Sequence, residues 1–94
     1  MARQVFSSND NYLIEWEIIG DHFHVHSLVY NWNRSVLRRG YQEIVSLKEK
    51  ARGLGYDQMV SISPNPKFCR LLGAASFGLF KEGYEVMIWE TAPI

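Results

Sequence analysis

Tyr12-Leu13-Ile14-Glu15-Trp16-Glu17-Ile18-Ile19-Gly20-Asp21-His22-Phe23-His24-Val25-His26-Ser27-Leu28-Val29 is the stretch that decides the fold. Tyr12, Ile14, Trp16 and Ile18 alternate with positions that include Glu15 and Glu17, the two-residue period of a half-buried strand. Phe23, Val25, Ser27 and Val29 repeat that period after Gly20-Asp21. Glycine first in a two-residue loop suits a type II′ turn, so the segment reads as a β-hairpin. The turn sets the register: Ile19 faces His22, Ile18 Phe23, Glu17 His24, Trp16 Val25, and Glu15 His26. One face then carries Trp16, Ile18, Phe23 and Val25 as core. The other carries a checkerboard of Glu15 and Glu17 against His22, His24 and His26.

Working outward, residues 3 to 7 add a short edge strand ahead of the hairpin. Behind it, Asn33 or Ser35 can cap a helix running to about Arg52. Leu37, Ile44, Leu47, Ala51 and Leu54 form its apolar stripe, with Tyr41 and Val45 beside it. Arg34, Arg38, Arg39, Glu43, Glu49 and Lys50 take the wetter side, and Gly53 and Gly55 offer left-handed stops. Gln58 to Ile62 reads as a short apolar strand, broken by Pro64-Asn65-Pro66. Pro66 suits the first position of a short helix through Leu72. Ser76 to Phe80 and Tyr84 to Glu90 make a closing hairpin around Lys81-Glu82-Gly83. The order is (β)ββαβαββ: an α/β chain of the α+β kind, with a mixed, mostly antiparallel sheet and residues 1–94 in a single domain.

Hydrophobic residues make up 47% of the 94, which excludes a disordered chain. The formal net charge is 0 and no basic block dominates, which argues against a nucleic-acid partner. Cys69 is the one cysteine, so no internal disulfide forms and a reducing compartment is expected. The N-terminus reaches polar Ser7-Ser8-Asn9-Asp10 too early for a signal peptide or a membrane span, so the expected location is the cytoplasm.

From Tyr12 to Glu90 this order resembles the back half of the GNAT N-acetyltransferase fold. Truncated phage-encoded proteins of that type also look similar in their Asn-x-x-φ-x-basic-φ-Leu run, here Asn65-Pro66-Lys67-Phe68-Cys69-Arg70-Leu71-Leu72. GNAT enzymes hold the acetyl-CoA diphosphate in a Gln/Arg-x-x-Gly-x-Gly/Ala loop where the long helix begins, since amides and the helix dipole favour an anion. The resemblance puts Ser35-Val36-Leu37-Arg38-Arg39-Gly40 on that loop. Gly40 fits the second glycine, Arg38 replaces the first, and Ser35 replaces the leading Gln/Arg. The family's second signature, Asn-x-x-Ala-x-x-Leu-Tyr-x-x-x-Gly-Phe, is matched by Asn65, Leu71 and Phe77. Leu72 stands where the family's tyrosine protonates the departing thiolate, and Ser76 where it has its turn glycine. Leucine donates no proton, and general acid catalysis is worth about 10²–10⁴-fold.

The resemblance, with those two departures, implies a binding protein that docks onto another protein, in a phage setting a host enzyme or complex met in the host cytoplasm. The alternative is an active, unorthodox acetyltransferase using acetyl-CoA. Leu28, Val29, Tyr30, Arg38, Arg39, Gly40 and Asn65 would then hold the cofactor, and Glu17 with His24 would serve as base. A structural component of a virion or its assembly is the third reading. No membrane or nucleic-acid partner is expected, and a homodimer is compatible with each reading, because missing front helices leave a sheet face or edge to cover. Three histidines on one strand spread too far for one ion, so no metal is expected. Arg34, Arg38 and Arg39 lie near Tyr30, Trp32 and Tyr41, and basic residues at a helix start invite an anionic partner, either phosphate or protein carboxylate. Trp32 and Trp89 are expected to fill structure, and Cys69 to be buried.

Overall fold

The computed structural model describes residues 3–64 and 66–92. The elements are β1 (Gln4–Ser8), β2 (Tyr12–Ile19), β3 (His22–Val29), α1 (Arg34–Gly53), β4 (Gln58–Ser63), α2 (Pro66–Leu71), β5 (Ala75–Lys81) and β6 (Tyr84–Glu90). They form one six-stranded sheet in the order β1-β2-β3-β4-β6-β5, antiparallel except where β3 meets β4. The fold is α+β, as the residue pattern predicts.

The hairpin forms in the expected register, from Ile19↔His22 through Glu17↔His24 to Tyr12↔Val29. Gly20 has φ 59°, and among the described residues only glycines have positive φ, so Asp21 is negative and the turn is of type II′. Trp16 stacks on Phe23 with ring centroids 5.0 Å apart and planes 4° from parallel. The edge strand β1 pairs with β2 through a bulge between Val5 and Ser7.

Asn33 caps α1, accepting the Val36 N–H on its side chain at 2.9 Å and the Leu37 N–H on its carbonyl at 3.0 Å. At the far end the Gly55 N–H reaches the Arg52 carbonyl and the Tyr56 N–H the Ala51 carbonyl, a Schellman stop with Gly55 at φ 93°. The buried face of α1 is Val36, Gly40, Ile44, Leu47 and Ala51. The expected stripe is right at Ile44, Leu47 and Ala51. Leu37 is only partly buried, and Tyr41, Val45 and Leu54 are exposed. The reason is α2 and the turn that follows it, whose Phe68 and Leu72 lie against Gly40 and turn that side of α1 inward.

Both helices bear on one sheet face, where Ile14, Phe23, Val25, Met59, Met87 and Trp89 complete the core. The buried Trp89 Nε1–H donates to the Leu72 carbonyl at 3.1 Å, which ties the end of α2 to β6. Among the described residues no helix is long and apolar enough to cross a membrane.

A Cβ added at Gly40 would lie 3.6 Å from Leu72 Cδ2, an ordinary contact. Glycine inside a helix costs roughly 0.5–1 kcal/mol relative to alanine. Gly40→Ala is therefore expected to raise stability by about that amount, read as a higher urea midpoint at unchanged slope. A lower midpoint would mean that α1 and α2 cannot absorb one methyl.

Candidate functional site

Phe23↔Met59 and His24↔Val60 are the pairs that register β3 with β4. Beyond them each strand keeps its other neighbour. β3 stays paired with β2 as far as Val29, and β4 with β6 as far as Ser63. The Tyr30 and Asn31 N–H groups both reach the Asn11 carbonyl, which draws the end of β3 towards β2. The two strands therefore part as a wedge. A cleft of about 210 Å³ lies there, with Ser27 and Leu28 on one wall, Ser61 and Ile62 on the other, and Arg3, Glu15 and His26 at its rim.

The histidine ladder lies beside this cleft on the helix-free face. Its rings are spaced 6.4 Å (His22 to His24) and 6.3 Å (His24 to His26). Glu17 sits opposite His24 in the register, but its carboxylate bonds His26 Nε2 at 2.7 Å, so the expected Glu17–His24 dyad is replaced by a diagonal Glu17–His26 pair. Arg3 adds ion pairs to Glu17 at 3.5 Å and to Glu15 at 3.7 Å. Burial pushes the Glu17 carboxyl up, but the bond and charge of His26 and the Arg3 guanidinium outweigh it and hold it below its ordinary value. His24 is buried, and burial together with the charges of His26 and His22 lowers its pKa against the opposing pull of Glu17. Among the described residues no group of three or more His, Cys, Asp or Glu is placed to hold a metal.

A histidine with a depressed folded pKa supports stability above its unfolded value and loses that support as pH falls through the folded one. Melting temperature should thus drop as pH falls below about 6.5, the ordinary histidine value. His24→Gln should flatten the profile between pH 7 and 5. An equal slope in the variant would assign the acid sensitivity elsewhere.

Of the residues assigned to a cofactor, Leu28, Val29 and Tyr30 do lie at the parting end of β3. Arg38, Arg39 and Gly40 do not lie in a loop. The Asn33 cap starts the helix at Arg34, so these three fall within it, where N–H groups bond to carbonyls four residues back. Their amides form no cradle, and only the exposed side chains of Arg38 and Arg39 remain for an anion. Asn65 lies outside the described residues.

Leu72 is 3% exposed, inside the core against Gly40. The buried Tyr12 hydroxyl has no hydrogen-bond partner among the described residues, and Tyr12 lines a cavity of about 10 Å³ with Leu72, Gly40 and Cys69. That volume is room for one water molecule. The Cys69 thiol is buried, and burial raises its pKa, with Ser63, its own backbone and Arg70 pulling the other way.

Trp32 is not core: it is 52% exposed, its ring edge-on to Phe68 at 4.3 Å. With Pro64, Pro66, Phe68 and Leu71 it walls an open apolar groove that has Lys67 at its rim. On α1, Arg34, Arg38, Tyr41 and Val45 recur at helical spacing along one exposed flank. None of Arg34, Arg38 and Arg39 forms an ion pair among the described residues. The reading from residues alone missed Arg3, His26 as the partner of Glu17, and Ser61. Arg3 and Ser61 reach the cleft only through long-range strand pairing.

Comparison with known proteins finds no matching family model, no similar curated protein and no similar solved structure.

Proposed function

We propose that this chain is a protein-binding module on a GNAT-like framework, without standard acetyl transfer. The observation that carries the reading is Leu72: the position assigned to the thiolate's proton donor is a buried leucine packed on Gly40. Its neighbours support the same reading. Of the residues assigned to the diphosphate loop, Leu37 to Gly40 bond their N–H groups back along the helix and Val36 gives its own to Asn33, so the loop's glycine positions offer no free amides.

The partner surface is the exposed Arg34-Arg38-Tyr41-Val45 flank of α1 with Tyr30 and Trp32 near its start. Exposed aromatics beside arginines without carboxylate partners suit a protein that offers carboxylates around an apolar anchor. In the phage setting that the resemblance suggests, that protein is a host enzyme or complex.

One observation favours the acetyl-CoA-dependent enzyme as a second reading: the parting of β3 and β4 and the cleft between them. There the backbone of Leu28 to Tyr30 would meet the cofactor, the Arg38 and Arg39 side chains would meet its phosphates, and Glu17 with His26 would accept a proton.

Calorimetry with acetyl-CoA separates the two. No heat at about millimolar ligand, together with a protein partner held by the native chain and lost with Arg34→Glu plus Arg38→Glu, is the expected result. Micromolar acetyl-CoA binding that Arg38→Glu abolishes would overturn the module in favour of the enzyme.

A further inference from the structure

β5 is the last strand of the sheet on its side, paired among the described residues only with β6, and all seven of its residues are exposed. α2 packs on the core through Phe68 and Cys69 and leaves Phe77, Leu79 and Phe80 at 77%, 76% and 59% exposure. An edge strand is normally guarded by charge, proline, a cover or bulges, and β5 has only bulges, between Ser76 and Gly78 and between Leu79 and Lys81. From Ala75 to Phe80 this one carries neither charge nor proline, and Lys81 stands only at its end.

We propose that the chain forms a homodimer in which β5 pairs antiparallel with β5 of a second copy across a twofold axis near Gly78. Antiparallel pairing of a strand with itself meets twofold symmetry without further adjustment. Alignment about Gly78 sets Phe77 against Leu79 of the second copy on both sides of the axis, an aromatic–aliphatic pair repeated twice. Bulges between Ser76 and Gly78 and between Leu79 and Lys81 keep the shared ladder short, so side-chain packing supplies most of the contact. Full cover of Phe77, Leu79 and Phe80 removes at most roughly 400 Å² per copy, which with the neighbouring main chain places the contact at or below the lower range of specific interfaces, about 1,200 Å² in total, and makes it a weak, concentration-dependent dimer. The chain's net charge of 0 adds no long-range repulsion between copies. This dimer stands whether or not the chain binds acetyl-CoA or another protein.

Sedimentation of the full chain from about 5 to 200 µM tests it. The expected result is a rise from the 10.9 kDa monomer to twice that mass. Leu79→Lys and Phe77→Lys should each hold the chain at monomer mass without lowering its melting temperature, while Trp32→Ala should dimerise like the parent. Amide exchange, which needs no substitution, should slow across residues 75–81 as concentration rises. A parent chain that stays monomeric, a dimer indifferent to both lysines, or assemblies that grow past two copies would each overturn the proposal.

Discussion

Phe23→Ala is expected to lower stability by about 3–5 kcal/mol, the range for removing a buried aromatic. Small domains hold only about 5–15 kcal/mol in all, so the loss is a large share of the total and the urea midpoint should fall steeply. Phe23 is 0% exposed, stacked on Trp16 and tilted against Tyr56 at 6.0 Å. Its place matters as much as its burial. Phe23↔Met59 is one of the two residue pairs registering β3 on β4, the seam between the β1-β2-β3 half and the β4-β6-β5 half. Loss of the ring removes core contact from the place where strand pairing is thinnest. Urea unfolding followed by far-ultraviolet circular dichroism gives the answer, and a midpoint within error of the parent would show that the seam is held by something other than this ring.

Leu72→Tyr, which places a phenol at the position assigned to the proton donor, is expected to cost about 1–3 kcal/mol and to bring no acetyl transfer. Overfilling a packed core forces side chains from their rotamers and shifts backbone. Leu72 is enclosed by Gly40 and Phe68 of the helix layer and by Trp89, whose Nε1–H holds the Leu72 carbonyl. The adjoining cavity of about 10 Å³ does not accommodate a phenol. Thermal melting reads the cost, and acetyl-CoA consumption with an amine acceptor reads the chemistry. A variant that melts like the parent and transfers acetyl groups would make the framework a disabled enzyme rather than a binding module.

These two positions differ in how legible they were. Phe23 follows from the alternation of its strand and from the two-residue Gly20-Asp21 turn, both local. Leu72 is visible as a leucine, but its burial depends on α2 meeting α1, a contact about thirty residues apart in the chain. The stripe of α1 shows the same limit. A helical period fits Leu37-Tyr41-Ile44 as well as Val36-Gly40-Ile44, and only the approach of Phe68 and Leu72 to Gly40 selects the second. Trp32 reads as structural filling, yet it rests half-exposed on Phe68, beside the Asn33 cap.

In the candidate site, the Glu17–His24 alignment is correct as backbone register, yet the hydrogen bond runs to His26. Register fixes which Cα atoms face each other. Which ring a carboxylate reaches depends on rotamers, on the burial of His24 and on Arg3 approaching from another strand.

The hairpin and its register, a helix capped at Asn33 or Ser35, the proline-started short helix, the closing hairpin and their order follow from the residues alone. Each of these rests on side-chain period or turn chemistry spanning a few residues. Long-range packing selects Asn33 over Ser35 as the cap, sets β3 and β4 parallel for two pairs before they part, puts Leu72 in the core, and leaves β5 as an exposed, bulged apolar edge. Those features arise from contacts between segments far apart in the chain, where local preference is silent and the filling of shared space chooses the arrangement.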